Sequence, residues 1–491
     1  MGRGSAQGFA EERSPAAAQA LAPLVVDLDG TLIRSDTLDE SFASAFFRRP
    51  FLTLWTVIVS LLGGRAQLKA ALCRLGPIEA ETLPFRHELI AYLADQKREG
   101  RELHLATAAH CDIAERVAAS TGLFDQVFSS DGARNLKGRG KAEVLAAAFP
   151  DGFAYAGDSR ADLAVWACAK SGVVVGSPAF AQEVASRTPV ERHIERTAAG
   201  FKPWIKAARP HQWSKNAMIV VPVVLGWNHL TLAGGLAVLA ALVLFSLLSS
   251  LTYVVNDIAD LAADRRHPTK RARPFASGAL PVRYGLVGAI VGIPAVLTAA
   301  WFVAPPLAAC MAAYGIVTVA YSSGLKRIPI LDCFIIGSLF TLRLIAGITA
   351  ASLIWSPWLL TFAASFFFSL ALAKRHTELV GGGPAAVGPV PGRGYRYEDR
   401  GLTLVFGIAA ATASIIILVL YLMEEVFPQG FYGHPQWLWA APPILFLWVS
   451  RIWLLANRGE MHDDPVVFAL KDRVSLGLGA VLAAAFLLAL V

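Results

Sequence analysis

The chain has 491 residues, 55% of them apolar and only 16% charged, with a mean hydropathy of +0.50; this excludes an ordinary soluble enzyme and exceeds one domain. The formal net charge of +7 fits membrane topology and phosphate-bearing substrates, and no basic-aromatic module accompanies it, so nucleic acid is not indicated as a partner. Five scattered cysteines (Cys73, Cys111, Cys168, Cys310, Cys333) without a CxxC pair give neither zinc-type spacing nor a disulfide framework, and suit a reducing compartment.

Residues 1–20 lack an apolar signal-peptide core and read as a disordered Ala/Gly/Ser-rich leader. Charges are then frequent up to about residue 200, whereas beyond about 216 long apolar segments alternate with short loops. In the first half, PLVVD ending at Asp27 is a short Val-rich run of the kind that forms a buried parallel strand. Similar runs recur at Leu103–Thr107, Phe153–Gly157 and Gly172–Gly176, separated by helical stretches, which predicts a doubly wound α/β domain with its site at the carboxyl ends of the strands.

The residues at those ends, in DLDGT, LATAA, KGRGKAEVL and GDSRAD, resemble the four ordered motifs of the haloacid dehalogenase-like phosphatases. The resemblance implies Asp27 as the nucleophile, Asp29 as general acid and base, Thr107 as a phosphate-binding hydroxyl and Lys141 as the neutralising lysine, with Lys137 a near rival. Asp158 and Asp162 would hold Mg2+ together with Asp27. A carboxylate can attack a phosphate dianion only once a cation masks the charge. Residues 21–180 are assigned to this domain, with a small helical cap near 36–100. Within the cap, FLTLWTVIVSLL (51–62) is too short to span a bilayer; it admits two readings, a buried cap helix or a helix leaning on the membrane surface behind Phe46, Phe47, Arg48 and Arg49.

Residues 181–208 read as a linker and interfacial segment, and KPWIKAARPHQWSKN interleaves Lys, Arg and Trp as at headgroup level. About nine apolar segments follow, near 216–229, 231–255, 283–303, 305–322, 330–350, 356–373, 402–423, 437–456 and 474–491, making 209–491 an all-α polytopic membrane domain. With the amino-terminal domain cytoplasmic, every loop containing Lys or Arg falls on its side: Arg265–Arg273, Lys326 and Arg327, Lys374–Arg400, and Arg458–Arg473. This predicts an inner-membrane, multi-pass protein whose active sites are cytoplasmic.

In NDIADLAADRRHPTKRARPFASG (256–278), Asp257, Asp260 and Asp264 stand at the helical spacing i, i+3 and i+7, so three carboxylates share one face, as suits a divalent cation bridging to phosphate. Arg265, Lys270 and Arg273 follow as a rim for a polyanion. NDxxDxxxD with a basic loop resembles the first aspartate-rich motif of the UbiA-type prenyltransferase superfamily; HPTKRxRP and RPxQWxKN resemble its branch of decaprenyl-phosphate phosphoribosyltransferases.

The resemblance implies Mg2+ on Asn256, Asp257, Asp260 and Asp264, and substrate contacts at Lys215 and Asn216. YSSGLKRIPILD resembles the second metal motif through Tyr321, Lys326 and Asp332, keeping one acid where two or more are usual, so Lys326 binding phosphate is the alternative to a second metal. Arg343, 13 residues into its span and so roughly 20 Å deep, is expected to face a cavity and bind an anion or acid partner, with a structural pair to a carboxylate as the alternative. Lys374 and Arg375 resemble a third cytoplasmic segment, and the Gly/Pro-rich loop after them, with Arg393 and Tyr395, reads either as a lid or as a flexible connector.

Together these imply a bifunctional membrane enzyme that transfers 5-phosphoribose from phosphoribosyl pyrophosphate to polyprenyl phosphate, with a phosphatase able to remove the 5-phosphate. The alternative is prenyl transfer from a prenyl diphosphate to an aromatic acceptor, and a transporter with a regulatory domain ranks below both, since the acids cluster at a loop and no inverted repeat is evident. Lipid chain length and oligomeric state have no signature in the sequence.

Overall fold

The computed structural model describes residues 21–131, 136–196, 200–383, 385–390, 392–461 and 465–490; the expected leader at 1–20 lies outside them. It divides into two units, residues 1–200 with 261–282, and residues 201–260 with 283–491.

The first unit is built on six parallel strands, β1 (Leu24–Val26), β2 (Leu103–His110), β3 (Gln126–Ser130), β4 (Ala154–Gly157), β5 (Ser171–Gly176) and β6 (Val190–Glu195), in the order β3-β2-β1-β4-β5-β6. The order reverses beside β1, so a crevice opens at its carboxyl end between β2 and β4. Helices α4 (His87–Arg98), α5 (Cys111–Thr121), α6 (Arg139–Ala148), α7 (Leu163–Trp166) and α8 (Pro178–Ala185) connect the strands, preceded by the cap helices α1 (Thr37–Arg48), α2 (Pro50–Gly63) and α3 (Arg65–Leu75). The doubly wound sheet agrees with the strand runs in the sequence, because those runs are buried on both faces.

One expectation changes, and one of two open readings loses its ground. The segment expected as a linker, 181–208, supplies the edge strand β6, whose largely exposed VERHIE reads as polar chain because only Ile194 is buried and Val190 packs on the core in part. In α2, Phe51, Trp55 and Ile58 are 87%, 64% and 60% exposed, so the helix turns an apolar face outward and does not bury it in the cap.

The second unit begins with α9 (Phe201–Ala208), a ten-residue 3-10 helix (Pro210–Ile219) and the short α10 (Val221–Leu225). Long helices follow: α11 (Leu232–Ala259), α13 (Val282–Val303), α14 (Pro305–Ser323), α15 (Leu331–Ala351), α16 (Pro357–Val380), α17 (Arg400–Tyr421), α18 (Ala441–Asn457) and, after the short α19 (Pro465–Ala469), α20 (Arg473–Leu490); α12 (Leu261–Arg266) belongs to the first unit. Among the described residues eight helices are long and apolar enough to cross a membrane, one fewer than the nine segments expected, and this is a multi-pass membrane protein. The missing one is 216–229, which Pro222 and Gly226 break into short pieces.

Candidate functional site

In the first unit, Asp27 directly follows β1, Asp158 follows β4 and Thr107 lies in β2, so strand pairing alone draws the first, second and fourth motifs together. Lys141, buried on α6, points its Nζ at Asp27 Oδ1 (2.7 Å) and at the Tyr155 hydroxyl (3.0 Å), which donates to Asp162 Oδ1 (2.9 Å). Of the two candidate lysines, Lys141 is therefore the one beside Asp27. Asp29 accepts from the Thr37 N–H (2.8 Å) and hydroxyl (3.2 Å) at the start of α1. Thr107 is fully buried, and its Oγ1 accepts from the Ala109 N–H at 3.0 Å.

The electrostatics follow from crowding acids out of water. Burial, reinforced by Asp36 and Asp27, pushes Asp29 up to about 8; burial, reinforced by Asp27 and Asp162, pushes Asp158 up to about 7. Asp27 is also raised by burial, against the pull of Lys141. Burial alone would lower Lys141, but Asp27 and Asp162 reverse this and leave the ammonium raised and charged.

Carboxylate oxygens of Asp27, Asp158 and Asp162 lie within 4.8 Å of one another. One ammonium leaves this group negative, and Gly30 (φ +77°) keeps open the space where a Cβ would collide with the Asp158 carboxylate, so the residues fit a hard divalent cation such as Mg2+. Asp162 accepts from Ser159 at its other oxygen (Oγ, 2.8 Å), which fixes its orientation.

The sequence reading missed several supporting residues. Arg86 donates to the Gly30 and Thr31 carbonyls (3.0 and 3.2 Å) and ties down the loop after Asp27; Lys69 on α3 reaches the Ala108 carbonyl (2.6 Å); Arg196 pairs with Asp158 (3.0 Å). None belongs to a motif, and only the fold brings them here. Cys73, His110 and Asp112 offer ligand atoms within 4.8 Å of one another, a grouping that cysteine spacing could not reveal.

The aspartate-rich stretch is not one continuous helix. Helix α11 stops at Ala259, Asp260 leaves helical geometry, and α12 restarts at Leu261, because Asn and Asp compete with the backbone for helical hydrogen bonds. In the second unit, Asn256 and Asp257 lie in the last turn of α11, the buried Asp257 pairs with Arg209, and Asp260 pairs with Lys326 (3.4 Å). In the first unit, the buried Asp264 is gripped by Arg273 (2.6 Å), Arg265 pairs with Glu40, and Lys270 is exposed.

Asp332, expected at a second metal, is wholly buried and committed to Arg375 and to the Tyr395 hydroxyl. Arg375 and Tyr395, expected to touch substrate, are themselves buried in that cluster, whereas Arg393 donates to the Tyr321 hydroxyl at 3.2 Å. Arg343 is enclosed rather than facing open space: Nε donates to Asn216 Oδ1 (2.9 Å), Nη2 to the Tyr314 hydroxyl (3.2 Å), and three aromatic rings lie within 5.4 Å of the guanidinium carbon.

Lys215 and Lys374 do converge. With His211 and Lys471 they line a pocket of about 580 Å3. A separate apolar cavity of about 970 Å3 is lined by residues including Met218, Phe362, Phe366, Leu418, Leu445 and Phe486. The 3-10 helix and α16 contribute to both, with Lys215 three residues before Met218 and Lys374 eight after Phe366.

The UbiA prenyltransferase family model matches residues 217–471, more than half of the chain. The chain belongs to the UbiA prenyltransferase family. The haloacid dehalogenase-like hydrolase model matches residues 24–166, the sheet and site of the first unit. A Sinorhizobium fredii protein, y4nM, is 41% identical over 476 residues, 95% of this chain and 91% of its own length. The nodulation protein NoeC of Azorhizobium caulinodans is 33% identical over 294 residues, 59% of this chain and 94% of its own length. Decaprenyl-phosphate phosphoribosyltransferase of Mycobacterium tuberculosis is 35% identical over 284 residues, 55% of this chain and 88% of its own length. The protein is thus a UbiA-family membrane protein with an amino-terminal haloacid dehalogenase-like domain.

Proposed function

We propose that the membrane domain transfers 5-phosphoribose from phosphoribosyl pyrophosphate to a polyprenyl phosphate, and that the amino-terminal domain removes the 5-phosphate from the product. The observation that carries the first half is the 35% identity to the M. tuberculosis phosphoribosyltransferase across 88% of that enzyme. The apolar cavity, at the upper end of ligand-pocket volumes, supports a long isoprenoid acceptor. In the transfer, the acceptor's phosphate oxygen bonds to the anomeric carbon as the bond to pyrophosphate breaks. The task of the site is to stabilise that leaving group, for which Asp257, Asp260, Asp264, Lys270 and Arg273 are the candidates, with Mg2+ as counter-ion to the carboxylates.

In the phosphatase, the Asp27 carboxylate attacks phosphorus and the ester bond to the lipid-bound sugar breaks. Asp29, protonated at neutral pH because burial raises it, gives its proton to the departing alkoxide. Water then attacks the aspartyl phosphate, returning a proton to Asp29 and releasing phosphate. Lys141 neutralises the phosphoryl oxygens, and bound Mg2+, held by Asp27 and Asp158 with Asp162 beside them, would supply further positive charge. Covalent fusion keeps the lipid-bound intermediate at high effective concentration near both activities.

We place both activities on the cytoplasmic side, with α2 resting its exposed apolar face on the membrane surface. The testing experiment offers membranes containing the protein either phosphoribosyl pyrophosphate with polyprenyl phosphate, or a prenyl diphosphate with an aromatic acid. Ribosylated lipid in the first supports the proposal, and product only in the second replaces it with prenyl transfer.

A further inference from the structure

Residues 261–282, the strap that follows the aspartate-rich helix, fold with the first unit. The fastening is specific. Arg265 places Nη1 and Nη2 on the two carboxylate oxygens of Glu40, at 3.1 and 2.6 Å, and its Nε on the Ala276 carbonyl at 2.9 Å. The two side chains are 6% and 5% exposed although 225 residues separate them. Arg266 pairs with Glu79, and Gly278, at φ +71°, runs so close to the chain that a Cβ would come within 2.6 Å of Arg34 Cβ.

A buried, bidentate Arg–Glu pair adds little net stability over apolar packing, but it defines where both partners must sit. Its position on α1 is informative. Glu40 lies one turn beyond Thr37, which donates to the phosphatase acid Asp29. Arg265 adjoins Asp264, which Arg273 holds at 2.6 Å. One turn of the cap therefore contacts the phosphatase acid at one end and the anchor of the strap at the other.

We propose that Glu40 is a positioning residue for the diphosphate-binding strap, acting through Arg265 to hold Asp264, Lys270 and Arg273 in place. The inference takes the strap's ligand from the proposed function, but only as a diphosphate, which either transferase reading releases.

The test uses the full chain in detergent with Mg2+ and inorganic pyrophosphate as probe. Glu40→Gln keeps the shape and removes the charge; Arg265→Lys keeps the charge and loses the bidentate fork. Both variants are expected to bind pyrophosphate about tenfold more weakly and to be cut by trypsin about tenfold faster at the exposed Lys270 and Arg271. The exchanged pair, Glu40→Arg with Arg265→Glu, is expected to recover part of both losses, which an unfolded cap could not. Wild-type affinity and cleavage in both single variants would overturn the proposal. Faster cleavage at unchanged pyrophosphate affinity would overturn it too, leaving a structural clamp only. A protein that shows these losses yet transfers no phosphoribose keeps the clamp and removes the donor assignment.

Discussion

Arg375 clamps Asp332: Nε and Nη2 approach the same carboxylate oxygen at 3.0 and 2.8 Å, and the Tyr395 hydroxyl donates to the other at 2.7 Å. With both oxygens engaged and neither ion exposed, the pair joins α15 to α16 as a structural element.

Asp332→Asn should therefore behave as a stability variant. Removing one partner of a buried pair costs about 3–5 kcal/mol, and because Arg375 keeps its ion pair with Glu378 the loss should fall at the low end of that range. Tyr395→Phe removes the hydrogen bond to Asp332 and also the one its hydroxyl accepts from the Ile330 N–H (2.7 Å), and should cost at least about 1.5–3 kcal/mol. Thermal unfolding in detergent measures both, and the Mg2+ concentration giving half-maximal transfer should stay at the wild-type value in each.

The phosphatase site should bind Mg2+ in competition with protons. Asp158 rises from 3.8 to about 7 and Asp29 from 3.8 to about 8, so the metal-free fold is favoured by their protonated forms and loses that contribution as pH climbs through those values. Mg2+ takes the ionised carboxylates, so its affinity should increase with pH across this window. The rise in melting temperature on adding Mg2+ should be larger at about pH 8 than at about pH 6.

Gly30→Ala should separate folding from phosphatase chemistry. A Cβ at φ +77° costs about 1–2 kcal/mol and collides with Asp158, a candidate cation ligand. Phosphate-monoester hydrolysis should fall at least about a hundredfold while most of the protein stays folded. Hydrolysis and circular dichroism on the same sample check this.

The candidate site of the first unit was legible because Asp27 and Asp158 directly follow β1 and β4 and Thr107 lies in the adjoining β2: once those strands pair, the three residues have nowhere else to go. Edge strand β6 stayed hidden because its exposed residues are charged, and the break at Asp260 because residue spacing says nothing of helix continuity. Glu40 and Lys471 carry no local pattern. Glu40 acquires its role from a partner 225 positions away, and Lys471 its pocket from Lys215 and Lys374. Arg343 was legible as buried, but its enclosure by Asn216, Tyr314 and aromatic rings required knowing which helices pack together.

The most direct test gives the purified full chain Mg2+, polyprenyl phosphate and labelled phosphoribosyl pyrophosphate, and resolves the lipid products by mass spectrometry for the wild type and Asp27→Asn. The account predicts polyprenyl-phosphate ribose from the wild type and its 5-phosphate from the variant, whose nucleophile is gone. Absence of labelled lipid from both, with activity on a prenyl diphosphate and an aromatic acceptor, would contradict it.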